Sequence, residues 1–304
     1  DNGRKAGWDF RYVEKEGSAS FRYAYTRFDA AGEWTHRTRS RDGVAEHDEV
    51  RTRVVNGTEP TFLLPSIFAP GNISKATSET SPSFASDGKS MVFARTSDDW
   101  TVKKPFYATL GEDGWRVQAL EGLGNVYNLA LSPDGETIIY STRVDEVRSL
   151  FRVRRDEDRW LAPENLSEKY GLHGTYACLT NENTLMFFDS EGPKGAGIYQ
   201  ATSQDEGFMQ PTAVYVPENG TAFDGYAKTA DGRLYVTRCF DDQCESGPQN
   251  GIWEILLRQL AAPIERKLSR VPYAWGAQLV PALGVFVFTD GEDILALPLE
   301  AALQ

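Results

Sequence analysis

Short apolar runs alternate with polar turns along this chain, and one phrase recurs. It runs Ala130–Leu131, then Ser132–Pro133–Asp134–Gly135, then Ile138–Ile139–Tyr140–Ser141. Asp-Gly between two apolar runs is a hairpin signal, because a primed two-residue turn needs positive φ, which Gly adopts freely and Asp tolerates. The same phrase stands at Ser83–Phe84–Ala85–Ser86–Asp87–Gly88 leading into Met91–Val92–Phe93–Ala94, and at Tyr226 to Thr237 around Asp231–Gly232. Weaker copies span Cys178 to Phe188 and Leu279 to Phe288. A second landmark keeps the rhythm, an apolar residue followed by an apolar or aromatic one opening the next strand: Phe106–Tyr107, Leu150–Phe151, Ile198–Tyr199, Ile252–Trp253 and Ile294–Leu295.

Gly88 and Gly135 are 47 residues apart, Gly135 and Gly232 are 97 apart, and Gly232 and Gly284 are 52 apart. A period near 48 with only strand-like segments inside it predicts the blades of a β-propeller. Five units follow, at about 79–122, 123–168, 170–217, 219–270 and 272–304. The last stops after its third strand, Asp293 to Leu299, and an open edge there invites aggregation. A strand from the N-terminal region is therefore expected to close the ring. Residues 1–60 lack the landmark hairpin but read as strand: Phe21 to Arg27 alternates, Asp29–Ala30–Ala31–Gly32 turns, and Glu33–Trp34–Thr35 returns. Arg37 to Asp48 is very polar and reads as an edge strand or a solvated loop. The expectation is one all-β domain over 1–304, a six-bladed β-propeller with 1–60 as a degenerate blade and closure strands and 61–304 as five repeats. The alternative is five blades with an N-terminal β appendage.

The Ser-Pro-Asp-Gly hairpin followed by an Ile-Tyr strand resembles the PD40 (WD40-like) repeat of TolB-like β-propellers, over roughly Phe62 to Leu303. The resemblance implies an extracytoplasmic propeller that binds a protein or peptide on its loop face at the axial channel. The repeat itself is a scaffold found in many contexts.

Charge narrows the partners. Lys and Arg number 32 against 44 Asp and Glu, a formal net charge of −12, which argues against nucleic acid or an anionic membrane surface. No apolar run reaches the length of a membrane span. The chain begins at Asp1 rather than Met, so an export signal is expected to have been removed and the location to be periplasmic or secreted. Cys239 and Cys244 flank Phe240–Asp241–Asp242–Gln243 between two strands, close enough for a small disulfide ring, with two unpaired thiols as the other reading. Cys178, in an apolar strand, reads as a buried small hydrophobe.

Candidate chemistry collects where loops enter each first strand. Tyr127, His173, Tyr176, Phe223, Asp224, Tyr226, Tyr273 and Trp275 occupy those positions. The rings would form a stacking platform for a peptide side chain or a saccharide, or else pack between neighbouring blades. Trp100 adds a ring in the acidic loop Asp98–Asp99–Trp100. Arg95, Arg143 and Arg238 end second strands and would jointly grip a carboxylate or phosphate, or pair singly with Asp98, Asp145 and Asp241. The acidic loops lack the alternating ligand spacing of a Ca²⁺ site, so no metal and no cofactor are expected. There is no Gly-x-Ser-x-Gly elbow and no His-Glu-x-x-His. His173 has no assignable partner, and His36 and His47 fall in the polar N-terminal stretch. A monomeric binding module is the leading expectation. The alternative is a carbohydrate-active hydrolase or lyase using Asp189, Asp224 and Asp290, with His173, in the axial pocket, which requires two carboxylates roughly 5–10 Å apart.

Overall fold

The computed structural model describes residues 7–14, 17–28, 34–41, 44–50 and 65–303, apart from 76, 98, 146, 181–183, 205–206, 229–231, 242–243, 245–248, 259–261 and 272–273. For 7–50 and 225–228 it describes the course of the backbone only. The chain divides into two compact units, one of residues 1–63 with 98–101, the other of 64–97 with 102–304.

In the first unit, Gly7–Glu14, Gly17–Phe28, Trp34–Arg41 and Val44–Val50 form one antiparallel sheet in sequence order. The hairpin expected around residues 29–33 is there as Phe28 opposite Trp34. Of the polar stretch Arg37 to Asp48, residues 37–41 lie on the third strand and 44–48 on the fourth.

The second unit is a β-propeller of five blades, so the five-blade alternative holds and the six-blade expectation is corrected. Blade 1 is Ser78–Phe84, Ser90–Thr96, Lys103–Gly111 and Gly114–Ala119. Blade 2 is Asn128–Leu131, Thr137–Val144, Val147–Asp156 and Arg159–Trp160, with Glu164–Asn165 also on its third strand. Blade 3 is Thr175–Leu179, Thr184–Asp189, Gly197–Gln204, Gly207–Phe208 and Thr212–Tyr215. Blade 4 is Thr221–Lys228, Arg233–Cys239, Gly251–Leu256 and Ile264–Lys267. Blade 5 is Trp275–Val280, Val285–Thr289 and Ile294–Pro298, completed by Ser66–Ile67 from the other end of the unit. The first strands touch in a closed cycle, each blade's against the next and blade 5's against blade 1's. Five members complete that cycle, which leaves no position in it for a sixth. The closing strand comes just after the 1–60 stretch expected to supply it.

The reason for a ring lies in the second strands. In blade 2, Ile138 and Tyr140 pack toward blade 1 while Ile139 packs toward blade 3. In blade 3, Leu185 and Phe187 face blade 2 and Met186 faces blade 4. In blade 5, Phe286 and Phe288 face blade 4 and Val287 faces blade 1. Successive side chains of a strand point to opposite faces, so an unbroken apolar run means that both faces are covered. Each such side chain contributes roughly 1.5–3 kcal/mol by leaving water. The fit predicts apolar cores between blades, and five are present among the described residues, one at each junction.

The landmark turn differs in type from the expectation. Gly135 N–H donates to Ser132 O at 2.9 Å and Gly88 N–H to Ala85 O at 3.0 Å, while Gly135 has φ +78 and neither Asp134 nor Asp87 has positive φ. This is a type I turn, with Pro133 at its second position, followed by a left-handed Gly. The Ser132 hydroxyl accepts from Thr137 N–H and donates to Asp134, which fixes the four-residue loop. Gly135→Val is expected to lower stability by roughly 1–3 kcal/mol, because a β-branched residue is strained at that φ. Chemical denaturation checks this, and an unchanged midpoint contradicts the turn.

Candidate functional site

An axial cavity of about 40 Å³ is lined by all five first strands. It is built on a repeated irregularity. Between Thr80 and Ser83, Thr175 and Cys178, Phe223 and Tyr226, and Trp275 and Gln278 the register shifts by one. The extra residue sits left-handed in each: Ser81 at φ +54, Tyr176 at +51, Asp224 at +58 and Gly276 at +66. Blade 2 keeps a regular register and places Asn128 there. Three of these bulge residues carry side chains in a conformation that costs about 1–2 kcal/mol each. Bulges aim side chains out of the ladder, and here they turn polar groups toward the axis.

Those groups stitch the blades. Ser83 Oγ accepts from Leu131 N–H at 3.0 Å, and Asn128 Oδ1 accepts from Tyr176 N–H at 2.9 Å. Asp224 Oδ2 accepts from Gly276 N–H, and Gln278 both accepts from Phe84 N–H at 2.7 Å and donates to Phe84 O at 3.1 Å. Four junctions are bonded in this way. At the fifth, between blades 3 and 4, the rings of Tyr176 and Phe223 meet at 5.0 Å.

Only one oxygen of Asp224 is used: Oδ1 has no hydrogen-bond partner among the described residues. Burial pushes the Asp224 carboxyl up to about 6, against the pull of the Gly276 N–H and of Lys103. The Tyr176 hydroxyl is raised well above its usual range by burial, by Tyr127 and by Asp224. Tyr127 and Tyr176 share a hydrogen bond of 2.9 Å between their hydroxyls, with rings 5.5 Å apart. Lys103, from the start of blade 1's third strand, reaches the Tyr127 carbonyl at 3.4 Å and lies 5.1 Å from its ring centre. Burial first, and Arg148 second, lower the Lys103 ammonium. Sequence reasoning missed Lys103 and Arg148 because neither occupies a repeat landmark; both reach the mouth on long stems from third strands.

Of the expected site residues, Tyr127, Tyr176, Phe223 and Asp224 come together here. The others are elsewhere. His173 is exposed and does not line the cavity, and Trp275 is half-buried at the start of blade 5. The side chain of Tyr226 and all of Tyr273 lie outside the described residues. Trp100 groups with the first unit. Asp189 Oδ1 accepts from Glu191 N–H at 2.9 Å, and Asp290 Oδ1 accepts from Glu292 and Asp293 N–H at 3.0 Å each. Both carboxylates thus cap their own loops, away from the cavity lining. Beside Asp290, burial and the charges of Asp290, Glu79 and Glu292 push Asp293 up to about 8.

The three arginines do not converge either. Arg95 bonds Glu79 at 3.2 Å and the carbonyls of Asn72 and Ile73 at 3.1 Å. Arg238 is 1% exposed, bonded to Glu265, to Tyr215 Oη at 2.6 Å and to Asn219 O at 2.7 Å. Their partners are therefore Glu79 and Glu265, not the aspartates that follow them in sequence. Arg143 is exposed on the hairpin of blade 2. Cys239 is disulfide-bonded to Cys244, with Cα atoms 5.0 Å apart. Cys178 is not disulfide-bonded and lines the cavity, and burial, with Asp224 nearby, pushes its thiol up to about 12.

Two measurements test this geometry. The folded state holds the Asp224 proton more tightly than an unfolded chain near its ordinary 3.8. Its favourable contribution is therefore complete below about pH 4 and is lost as pH rises to about 6. Asp224→Asn keeps an acceptor for Gly276, so above pH 6 it is expected to gain roughly 1–2 kcal/mol and to flatten that decline; pH-dependent melting shows whether it does. Thiol titration of the denatured, unreduced chain is expected to find one thiol, and alkylation of the native protein to be slow, since the thiolate is the reactive form.

No protein-family model matches the chain, and no curated protein sequence matches it. Solved structures do. A gluconolactonase from Xanthomonas campestris is 14% identical over 80% of this chain and 99% of that one, with a TM-score of 0.45. A candidate TolB from Agrobacterium tumefaciens is 9% identical over 97% and 91%, at 0.48. A chain of a nidogen–laminin complex is 12% identical over 98% and 91%, at 0.47. Likenesses this distant carry no argument about function, and the β-propeller architecture rests on the sheets described above.

Proposed function

We propose that the propeller is a non-catalytic binding module of the TolB-like, PD40-repeat kind, and that a protein or peptide segment seats on the axial mouth formed by Tyr127, Tyr176, Phe223 and Asp224. The size of the cavity carries this reading. Sites that enclose a small molecule run to roughly 300–1,000 Å³, whereas this cavity offers about 40 Å³, room for a few waters or the tip of one side chain. What remains is a rim of rings around one carboxylate, whose second oxygen has no hydrogen-bond partner among the described residues. Rings of this kind supply large contact area at little entropic cost, the usual anchors of a protein interface.

The hydrolase or lyase reading asks for two facing carboxylates. Among the residues lining the cavity there is one, Asp224. The raised Asp224 carboxyl would suit proton transfer near neutral pH, but it stands without the partner that glycoside cleavage needs. The Cys239–Cys244 disulfide supports an extracytoplasmic location, and no helix among the described residues is long and apolar enough to cross a membrane.

Selection of a random peptide library on the protein is expected to yield binders whose affinity falls about tenfold or more in Phe223→Ala and Tyr127→Ala, with melting curves confirming that both variants fold. A library that returns no binder, or binders indifferent to both substitutions, removes the reading.

A further inference from the structure

We propose that the axial cavity receives a primary carboxamide, the side-chain tip of a Gln or Asn in the bound segment; the inference rests on the peptide-binding reading and names what enters the cavity.

The hydrogen-bonding capacity left over among the lining residues carries it. On the acceptor side stands Asp224, whose Oδ1 has no hydrogen-bond partner among the described residues. On the donor side stands Asn128, only 4% exposed. Its Oδ1 accepts from Tyr176 N–H at 2.9 Å and from the Ser141 hydroxyl. A backbone N–H needs an oxygen, which fixes the way round of this amide, and Nδ2 keeps both hydrogens without a partner among the described residues. Ser81, left-handed in the bulge of blade 1, has a hydroxyl with no hydrogen bond among the described residues. Gln278 spends Oε1 and one Nε2 hydrogen on Phe84 and keeps the other. Residues of three blades around one small space thus retain donors, and a fourth blade retains one acceptor. Polar groups removed from water are costly unless paired, so the occupant that pairs them all is favoured.

Side chains sort themselves against that pattern. A carboxamide brings both kinds of group on one tip: its oxygen accepts two donors while its nitrogen donates to the carboxylate. A Lys ammonium only donates, and it would arrive beside cations, since Lys103 and Arg148 lie on the Tyr127 ring. A Glu or Asp carboxylate only accepts, and it meets Asp224 where burial already disfavours charge. A Ser hydroxyl must accept and donate through a single oxygen, so it spans the donors and the acceptor of different blades poorly. An apolar tip leaves every one of these groups unpaired. The volume of about 40 Å³ suits a group of carboxamide size.

The probes are the single amino acids Gln, Glu, Lys, Ser and Leu, each with acetyl and methylamide caps, titrated into the ¹⁵N-labelled full chain at mildly alkaline pH, where Asp224 is ionised. The Asn128 side-chain NH₂ and the Tyr176 backbone N–H resonances report occupancy. Expected is saturable displacement of both by capped Gln with a dissociation constant in the millimolar range, and binding of the other four weaker by about tenfold or more. Asp224→Asn turns the one leftover acceptor into a donor, so the order is expected to invert, with capped Glu above capped Gln. Ser81→Gly deletes a donor at a position where blade 5 has Gly276 in the same left-handed bulge; it is expected to fold and to weaken capped Gln about threefold or more. The inference is overturned by no saturation with capped Gln at about 100 mM, by equal binding of capped Leu or capped Glu, or by an unchanged order in Asp224→Asn. Should Asp224→Asn fail to fold, equal Gln affinity in Ser81→Gly overturns it. Library binders that need Tyr127 and Phe223 but share no Gln or Asn would sink this inference and leave the peptide-binding reading standing.

Discussion

The structure depends on two-sided burial of the second strands. Runs such as Ile138–Ile139–Tyr140 and Phe286–Val287–Phe288 place oily groups on both faces of a sheet. A single sheet can bury one face against a neighbour and leaves the other wet. Only a closed cycle gives every sheet two neighbours, and closure leaves protected edges. The way the ring closes follows directly. Its last sheet is completed by the two-residue strand Ser66–Ile67, paired with Ala296 and Leu295. Phe68 N–H donating to Ile294 O at 2.8 Å extends that pairing. The Phe68 ring then meets Phe84 at 5.4 Å and Trp115 at 5.9 Å in blade 1. This short backbone ladder and the Phe68 ring add to the Gln278–Phe84 hydrogen bonds and the apolar core that join the first and last blades.

Closure has a consequence at the axis. Five first strands brought together leave little room, and their ends must satisfy backbone groups that no ladder reaches. The bulges solve this by turning Asp224 outward from the regular register, while Asn128 does the same work without a bulge, so that side chains accept neighbouring N–H groups. The strained backbone and the polar axis are one feature seen from two sides. Asp224 emerges as the group with capacity left over, since its second oxygen has no hydrogen-bond partner among the described residues. Its raised carboxyl and the suppressed ionisation of Tyr176 and Cys178 share one cause, removal from water beside a charge that is only partly compensated.

Charge is organised against the average. Several arginines pair inside or along their blades, as Arg238 does with Tyr215, Glu265 and Asn219. At the mouth of blades 1 and 2, Tyr127 gathers Lys103 and Arg148 on its ring. Cation–π contact holds cations where solvent alone would let them separate.

The sequence by itself determined the repeat. Turn residues at fixed intervals and apolar runs between them specify hairpins through local backbone preference, and that local grammar was enough to place the five units and the need for a closing strand. It did not determine the turn type, because Ser132 and Asp134 side-chain bonds stabilise a type I turn that Asp-Gly alone does not announce. Nor did it determine the blade number, since residues 7–50 have strand character whether or not they join the ring, and membership is settled by which first strands touch. The aromatic positions Tyr127, Tyr176 and Phe223 were legible because they repeat. Their meeting with Lys103 and Arg148 was not, and neither was the burial of Arg238. Those depend on side-chain reach across blades distant in sequence, which only the closed ring brings within a few ångströms.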